Sequence, residues 1–300
     1  MALCLTCLDA VMVRGIRNAQ TRARAGAPSE RLLLAFSGGA HSLCLAALLR
    51  RCLEGLKGDR FHLRLVHVQE GGAAYAEAVA AAALSVTAPL PDGTAIPYEV
   101  IQLAGEDAAA LAETPENATA WDDLRSASRL RALLTYAKSQ QCTRVVLAEC
   151  ATHLAARVIF SAAKGAPAPP DDLQAGGNPG AGAGVVLFRP QADFLSEEVH
   201  LLLHHFKLQA AYEPVGCAHL SSRFLASSIN AQSRRFVATL QSDKVGSVHT
   251  ILRTALKVGA TRASAHADDN FQVDDAKVDA AAKVDAGGEV DGGAKVDAGG

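Results

Sequence analysis

Residues 32–36, "LLLAF", are apolar without alternation, and "SGG" at 37–39 breaks the run. A short continuous apolar stretch closed by turn residues suits a strand covered on both faces. The following "HSLCLAALLRRCLEGLK" returns to helical spacing. "FHLRLVHVQEG" predicts a second strand around Leu63, Leu65, Val66 and Val68, and the alanine-rich "AEAVAAAALSVTAPL" a second helix. "PYEVIQLA" predicts a third strand, "WDDLRSASRLRALLTYAKSQ" an amphipathic helix, and "TRVVLAE" a fourth strand. "THLAARVIFSAAKG" then reads as a helix closing on Gly165, and "VVLFRP" as a fifth strand stopped by Pro190. "SEEVHLLLHHFKL" opens a helix at the N-cap Ser196, and two more helical segments fit "SSRFLASSINAQSRRFVATLQ" and "SVHTILRTALKV". Strand and helix in alternation predict an α/β fold built from parallel β-α-β units.

Three stretches depart from this rhythm. Residues 1–30 form a Cys- and Arg-rich segment in which Leu8, Val11, Met12 and Ile16 recur at roughly helical spacing. Its arginines, Arg14, Arg17, Arg22 and Arg24, fall largely on the outer face, either as a solvated surface or as contacts to an RNA backbone. "APAPPDDLQAGGNPGAGAG" is rich enough in Pro and Gly to predict a mobile loop. After a main domain over 31–262, residues 263–300 repeat Val-Asp every six positions from Val278 to Val296. One valine per repeat is too little for a core, so this tail is expected to be disordered.

Composition narrows the picture only in part. With 300 residues and 49% hydrophobic content, the chain can bury a substantial core, and its net charge of -2 gives no whole-chain argument for a nucleic-acid or membrane partner. No apolar run approaches the roughly 20 residues that span a bilayer, and the start lacks a secretory pattern. A cytoplasmic protein with reduced thiols is expected. Of the seven cysteines only Cys4 and Cys7 sit at ligand spacing, as half of a tetrahedral zinc site or as two small apolar residues on one side of a helix.

The break after the first strand carries the most chemistry. Glycines let a backbone approach a ligand closely, and the helix that follows presents its positive end. Ser37, Gly38, Gly39 and Ser42 therefore form a candidate phosphate loop, with a serine-capped strand-to-helix turn as the competing reading. "SGGAHS" resembles the SGGxxS pyrophosphate loop of the N-type, or PP-loop, ATP pyrophosphatases. Within that superfamily the order of "CLTC", "LLLAFSGGAHS", "VHVQEG", "VVLAECATHLAARVIFSAAKG", "VVLFRPQADFLSEEVHLLLHHFKL" and "LQSDKVGSVHTILRTALKV" is similar to the cytoplasmic tRNA 2-thiolation protein 2 family. The resemblance implies an adenine-nucleotide hydrolase-like sheet and a loop that takes ATP. It also implies a heterodimer with a catalytic paralogue that thiolates the wobble uridine of tRNA with sulfur from a thiocarboxylated ubiquitin-related modifier.

Several positions depart from the active members of that superfamily. His41 stands where they carry Asp; it could hold a phosphate when charged but cannot orient magnesium as a carboxylate does. Thr152, His153, Ala156 and Arg157 stand where they carry acids and Glu-Thr, so no acid is expected there. Their C-x2-C ahead of the fourth strand is missing, while Cys142 and Cys150 lie nearer the strand as small buried residues. No catalytic residue is therefore assigned, and a non-catalytic or weakly catalytic subunit is expected. The alternative is a self-sufficient ATP pyrophosphatase forming an acyl- or nucleoside-adenylate. His204 and His205 are adjacent and cannot chelate one ion together, and Asp122 and Asp123 read as a solvated helix start. Arg189, at a strand end, is either a functional contact or a surface residue.

Overall fold

The computed structural model describes residues 4–55, 61–70, 72–113, 115–165, 173, 176–179, 184–211, 220–244 and 246–258. The chain divides into two units, Met1–Ala255 and Leu256–Gly300. Of the second, residues 256–258 are described and are helical; the expected disordered tail lies outside the described residues.

Five parallel strands carry the first unit: β1 (Arg31–Ala35), β2 (His62–Gln69), β3 (Tyr98–Gln102), β4 (Arg144–Val146) and β6 (Val186–Phe188). A sixth, β5 (Gly176–Pro179), pairs antiparallel with β6, giving the order β3-β2-β1-β4-β6-β5. This strand corrects the expectation of a loop throughout the Pro/Gly-rich stretch. A sheet edge supplies backbone partners even to glycines, and a proline is tolerated at such an edge.

Both faces of the sheet are covered, which explains the unbroken apolar run in β1. Leu32 and Leu34 enter a cluster with helices α1 (Leu5–Ala23), α2 (Ala40–Glu54), α3 (Ala73–Thr87) and α7 (Ser196–His205). Leu33 faces the other way, into a cluster with Leu133 and Ala137 of α5 (Ala118–Ser139). Each of these fully buried leucines contributes about 1.5–3 kcal/mol of transfer free energy. Helix α2 lies deepest, with Cys44 and Cys52 buried in its body; burial, together with the charge of Asp9, pushes the Cys44 thiol up to about 12.

The first helix buries Leu8, Met12, Ile16 and Ala19, a stripe at four- and three-residue spacing. Val11, expected on that stripe, is 46% exposed, because it sits one position off the i, i+4 row. Gly15 lies directly against Phe194, and a Cβ there would overlap the ring. Past α3 and β3 comes α4 (Gly105–Ala112), which the hydrophobic pattern did not reveal; none of its residues is buried.

The "SSRFLASSINAQSRRFVATLQ" segment is two helices, α8 (Ser222–Ala226) and α9 (Ile229–Asp243). Ser228, the N-cap of α9, separates them, and its hydroxyl accepts from the Ala231 amide. α9 packs on α6 (Ala151–Ala163).

Candidate functional site

The order of strands fixes where a ligand can enter. From β1 the chain moves outward through β2 and β3, then returns to pair β4 on the other side of β1. The loops leaving β1 and β4 therefore diverge, and a crevice opens at the carboxyl ends of these two strands. A cleft of about 460 Å³ lies there, lined by the loop from Ser37 to Ser42, by Glu149, His153 and Arg157 beyond β4, and by Arg189 beyond β6. A larger cavity of about 630 Å³ includes Arg31, His62, Pro97 and Cys142, and so sits at the amino ends of the strands, away from this crossover.

The loop is held by its own backbone. Gly38 has φ +74°, where a side chain is strained, and a Cβ would come 2.9 Å from Val79 Cγ2 and 3.1 Å from the Ala211 Cβ. Its carbonyl accepts from the Ala211 amide at 2.9 Å, and the Ser37 carbonyl accepts from the Tyr75 hydroxyl at 2.8 Å. Gly39 caps α2 in an extended conformation with no side chain over the helix end. Ser37 is exposed, whereas Ser42 is buried and donates to the Gly39 carbonyl at 3.1 Å; the two hydroxyls lie 3.1 Å apart. The predicted four residues thus converge on one helix N-terminus, the frame that binds phosphate oxygens.

Across the cleft Thr152, His153, Ala156 and Arg157 offer no acid, but a carboxylate stands just ahead of them at Glu149. Glu149, three residues past the end of β4, accepts from Arg189 Nε at 2.6 Å and is paired with Arg157. Burial works to raise its carboxyl, but Arg157 and Arg189 outweigh that and hold it below the ordinary glutamate value. Among the described residues lining the cleft it is the one carboxylate, and both arginines bind it. Arg189 is 1% exposed, so it is no surface arginine. The site does not fit a magnesium ion held as in a carboxylate cage, since its acid is already neutralised by two cations.

His41 is also not the charged phosphate ligand it could have been. It is half-buried, its Nε2 lies 3.0 Å from Ser196 Oγ, and its ring centroid is 4.2 Å from that of His153 and 5.2 Å from that of His200. Burial, with the neighbouring His153 and His200, lowers its pKa to about 3, so the imidazole is neutral. His153 is lowered as well, chiefly by burial. Cys150, the N-cap of α6, is fully buried, and the ligand atoms of His41, Cys150 and His153 all lie within 4.8 Å of one another. Burial raises the Cys150 thiol against the opposing pull of the His153 and Thr152 amides.

The other sequence candidates lie apart from this cleft. Cys4 caps α1, its sulfur accepting from the Cys7 amide at 3.4 Å, and both cysteines are exposed. Among the described residues they join no third metal donor. Arg14, Arg17, Arg22 and Arg24 are exposed as expected, and Arg22 reaches Asp193 at 2.5 Å. Asp122 and Asp123 are not a solvated helix start. Asp123 accepts from Lys164 and Asn230 at 2.8 Å, and Asp122 accepts from Arg234 at 3.2 Å, tying α5 to α6 and α9. His204 is exposed and His205 half-exposed, on the far end of α7.

Sequence reasoning missed Glu149, His200 and the proximity of Cys150 to His41. The C-x2-H spacing of Cys150 and His153 was the available signal, once β1 and β4 are taken as neighbours. A thiolate-held iron–sulfur cluster does not fit here, because Cys150 is the one cysteine of the group.

No protein-family model matches the chain, and no curated protein matches it. Among solved structures it is similar to the U34-tRNA thiolase NcsA from Methanococcus maripaludis, determined with its 4Fe-4S cluster, at 17% identity and a TM-score of 0.66 over 86% of this chain and 81% of that one. NMN synthetase from Francisella tularensis aligns at 11% identity and a TM-score of 0.49 over 85% and 97% of the two chains. The first likeness shows that this chain shares the fold of that protein.

Proposed function

We propose that this chain is a non-catalytic or weakly catalytic subunit of a cytoplasmic tRNA thiolation complex, in the manner of the tRNA 2-thiolation protein 2 family. One observation carries the reading: the Ser37–Ser42 loop at the start of α2 faces a cleft whose one carboxylate among the described residues is bound by Arg157 and Arg189. Such a cleft can hold the phosphates of ATP on the α2 amides while leaving the adenylation of the uridine C2 oxygen to a catalytic paralogue. That paralogue would then displace AMP with sulfur from a thiocarboxylated ubiquitin-related modifier. The fold shared with a tRNA thiolase supports the choice of pathway. The described helices include none long and apolar enough to cross a membrane.

The exposed arginines of α1 supply a second contribution. Arg14, Arg17, Arg22 and Arg24 extend a positive surface on which a tRNA backbone can lie. Replacing Arg14 and Arg17 by glutamine is expected to weaken tRNA binding by the complex and reduce its salt slope by roughly 1 per lost phosphate contact.

The deciding experiment is mass spectrometry of nuclease-digested bulk tRNA from cells lacking the protein. Loss of wobble 2-thiouridine, restored by the intact gene, is the expected result. Unchanged thiolation would reject the reading. ATP–pyrophosphate exchange by the purified chain alone is expected to be negligible; brisk exchange would favour the self-sufficient adenylating enzyme instead.

A further inference from the structure

We propose that His41, Cys150 and His153 form a binding site for one zinc ion at the edge of the cleft. The three donors come from two helix starts on adjacent strands: His41 from the first turn of α2, Cys150 and His153 from the cap and first turn of α6. One thiolate and two imidazoles make a borderline-soft set, which suits zinc and disfavours magnesium and calcium. The donor atoms lie within 4.8 Å of one another, and a tetrahedral ion at about 2.0–2.3 Å from each requires separations of roughly 3.5 Å. A gap of that size, about an ångström, is within the reach of side-chain rotation.

The surroundings fit the ion better than they fit three idle side chains. His41 and His153 pack ring to ring at 4.2 Å between centroids, with the His200 ring 5.2 Å from that of His41. Ser196 Oγ holds one nitrogen of His41, the kind of outer contact that orients a ligating ring and leaves its other nitrogen free to bind. Cys150 stands at the amino end of α6, where the helix favours a thiolate once its proton is displaced by metal. Three protein donors leave a fourth position, and His41 and His153 both line the cleft. An ion held there would offer that position to water or to an anionic oxygen of a ligand on the loop.

The test uses the full chain and cobalt as a spectroscopic probe for zinc. Purified wild-type protein, stripped of metal and titrated with Co²⁺, is expected to bind one equivalent with tetrahedral d–d bands and a thiolate-to-cobalt charge-transfer band. Zinc should abolish these bands by displacement. Cys150→Ser should remove the charge-transfer band and weaken binding on the order of a hundredfold or more, beyond what loss of a supporting contact gives. His41→Asn should keep a thiolate band and weaken binding, and the Cys4→Ser/Cys7→Ser double variant should behave as wild type. A wild-type chain without a charge-transfer band, or a band that survives Cys150→Ser or vanishes with Cys4 and Cys7, would overturn the assignment. If Cys150→Ser fails to fold, the wild-type, His41→Asn and double-variant spectra decide the matter by the same criteria.

Discussion

The β1–α2 turn and the β4–α6 turn stand side by side on the same edge of the sheet, and each delivers a helix N-terminus to one cleft. They differ in what does the holding. Around Gly38 and Gly39 a positive φ and the Ala211 amide fix the turn, with the hydroxyls of Tyr75 and Ser42 on its carbonyls, and the α2 end it leads into presents main-chain amides. Around Glu149 and Cys150 the contacts are side chains: Glu149 is paired with Arg157 and Arg189, and Cys150 lies near His41 and His153. An anion-binding frame made of backbone survives the replacement of neighbouring side chains; a metal-assisted catalytic centre does not. The proposed non-catalytic role predicts this pairing of a backbone loop with a turn given over to ion pairs.

The largest expected effect breaks the side-chain turn. Arg189→Ala strips Glu149 of a buried partner and is expected to cost about 3 kcal/mol in urea unfolding, the scale of a broken buried ion pair. A loss under about 1 kcal/mol would mean that Arg157 alone suffices, and that the turn is less committed than its geometry indicates.

Next comes the backbone turn. Gly38→Ala puts a Cβ 2.9 Å from Val79 at a positive φ and is expected to cost about 2 kcal/mol while abolishing binding of inorganic pyrophosphate by calorimetry. Retained binding would show that the loop's amides are not the anion site.

Glu149→Gln sharpens the contrast from the other side. It releases Arg157 and Arg189 toward the cleft and should strengthen pyrophosphate binding by roughly tenfold, the scale of one charge-assisted hydrogen bond. Weaker binding would mean that the arginines point elsewhere once freed.

The smallest effect lies at the opposite edge of the sheet, where Glu30 accepts from Thr143 and Arg144 at 2.8 Å and from the Gly26 amide at 2.5 Å. Burial raises its carboxyl, but these hydrogen bonds prevail and hold it below its ordinary value. A lowered folded-state value stabilises the fold at pH above about 4.3, and that stability is lost as pH falls through the lowered value. Acid unfolding of Glu30→Gln should accordingly have a shallower pH dependence than wild type, and an identical slope would remove Glu30 from the list of acid-sensitive contacts.

The same contrast explains what could be read in advance. Strand β1 announced itself because a strand buried on both faces needs apolar residues at every position, and the Ser-Gly-Gly break revealed the loop because few other residues reach a positive φ. Helix α4 gave no signal, since it buries nothing. β5 gave none either, because what makes it a strand is an edge lying ahead in the chain at β6. Arg189 and Glu149 are 40 residues apart and Asp123 and Asn230 are 107 apart, so their pairing depends on tertiary neighbours that no local pattern records. The acids at 122 and 123 looked like a solvated helix start for the same reason.

The order of strands also sets a timetable. His41 and Ser196, which meet at 3.0 Å, are separated by 155 residues. A ribosome adding about 5–20 residues per second makes the Ser-Gly-Gly loop about 8–30 s before the chain that completes the cleft. During that interval β1, β2 and β3 can pair, while the apolar face awaiting β4 and α7 remains open. A nascent chain stalled in this interval would display half of the site and one bare flank of the sheet, a species for chaperones to recognise before any partner can.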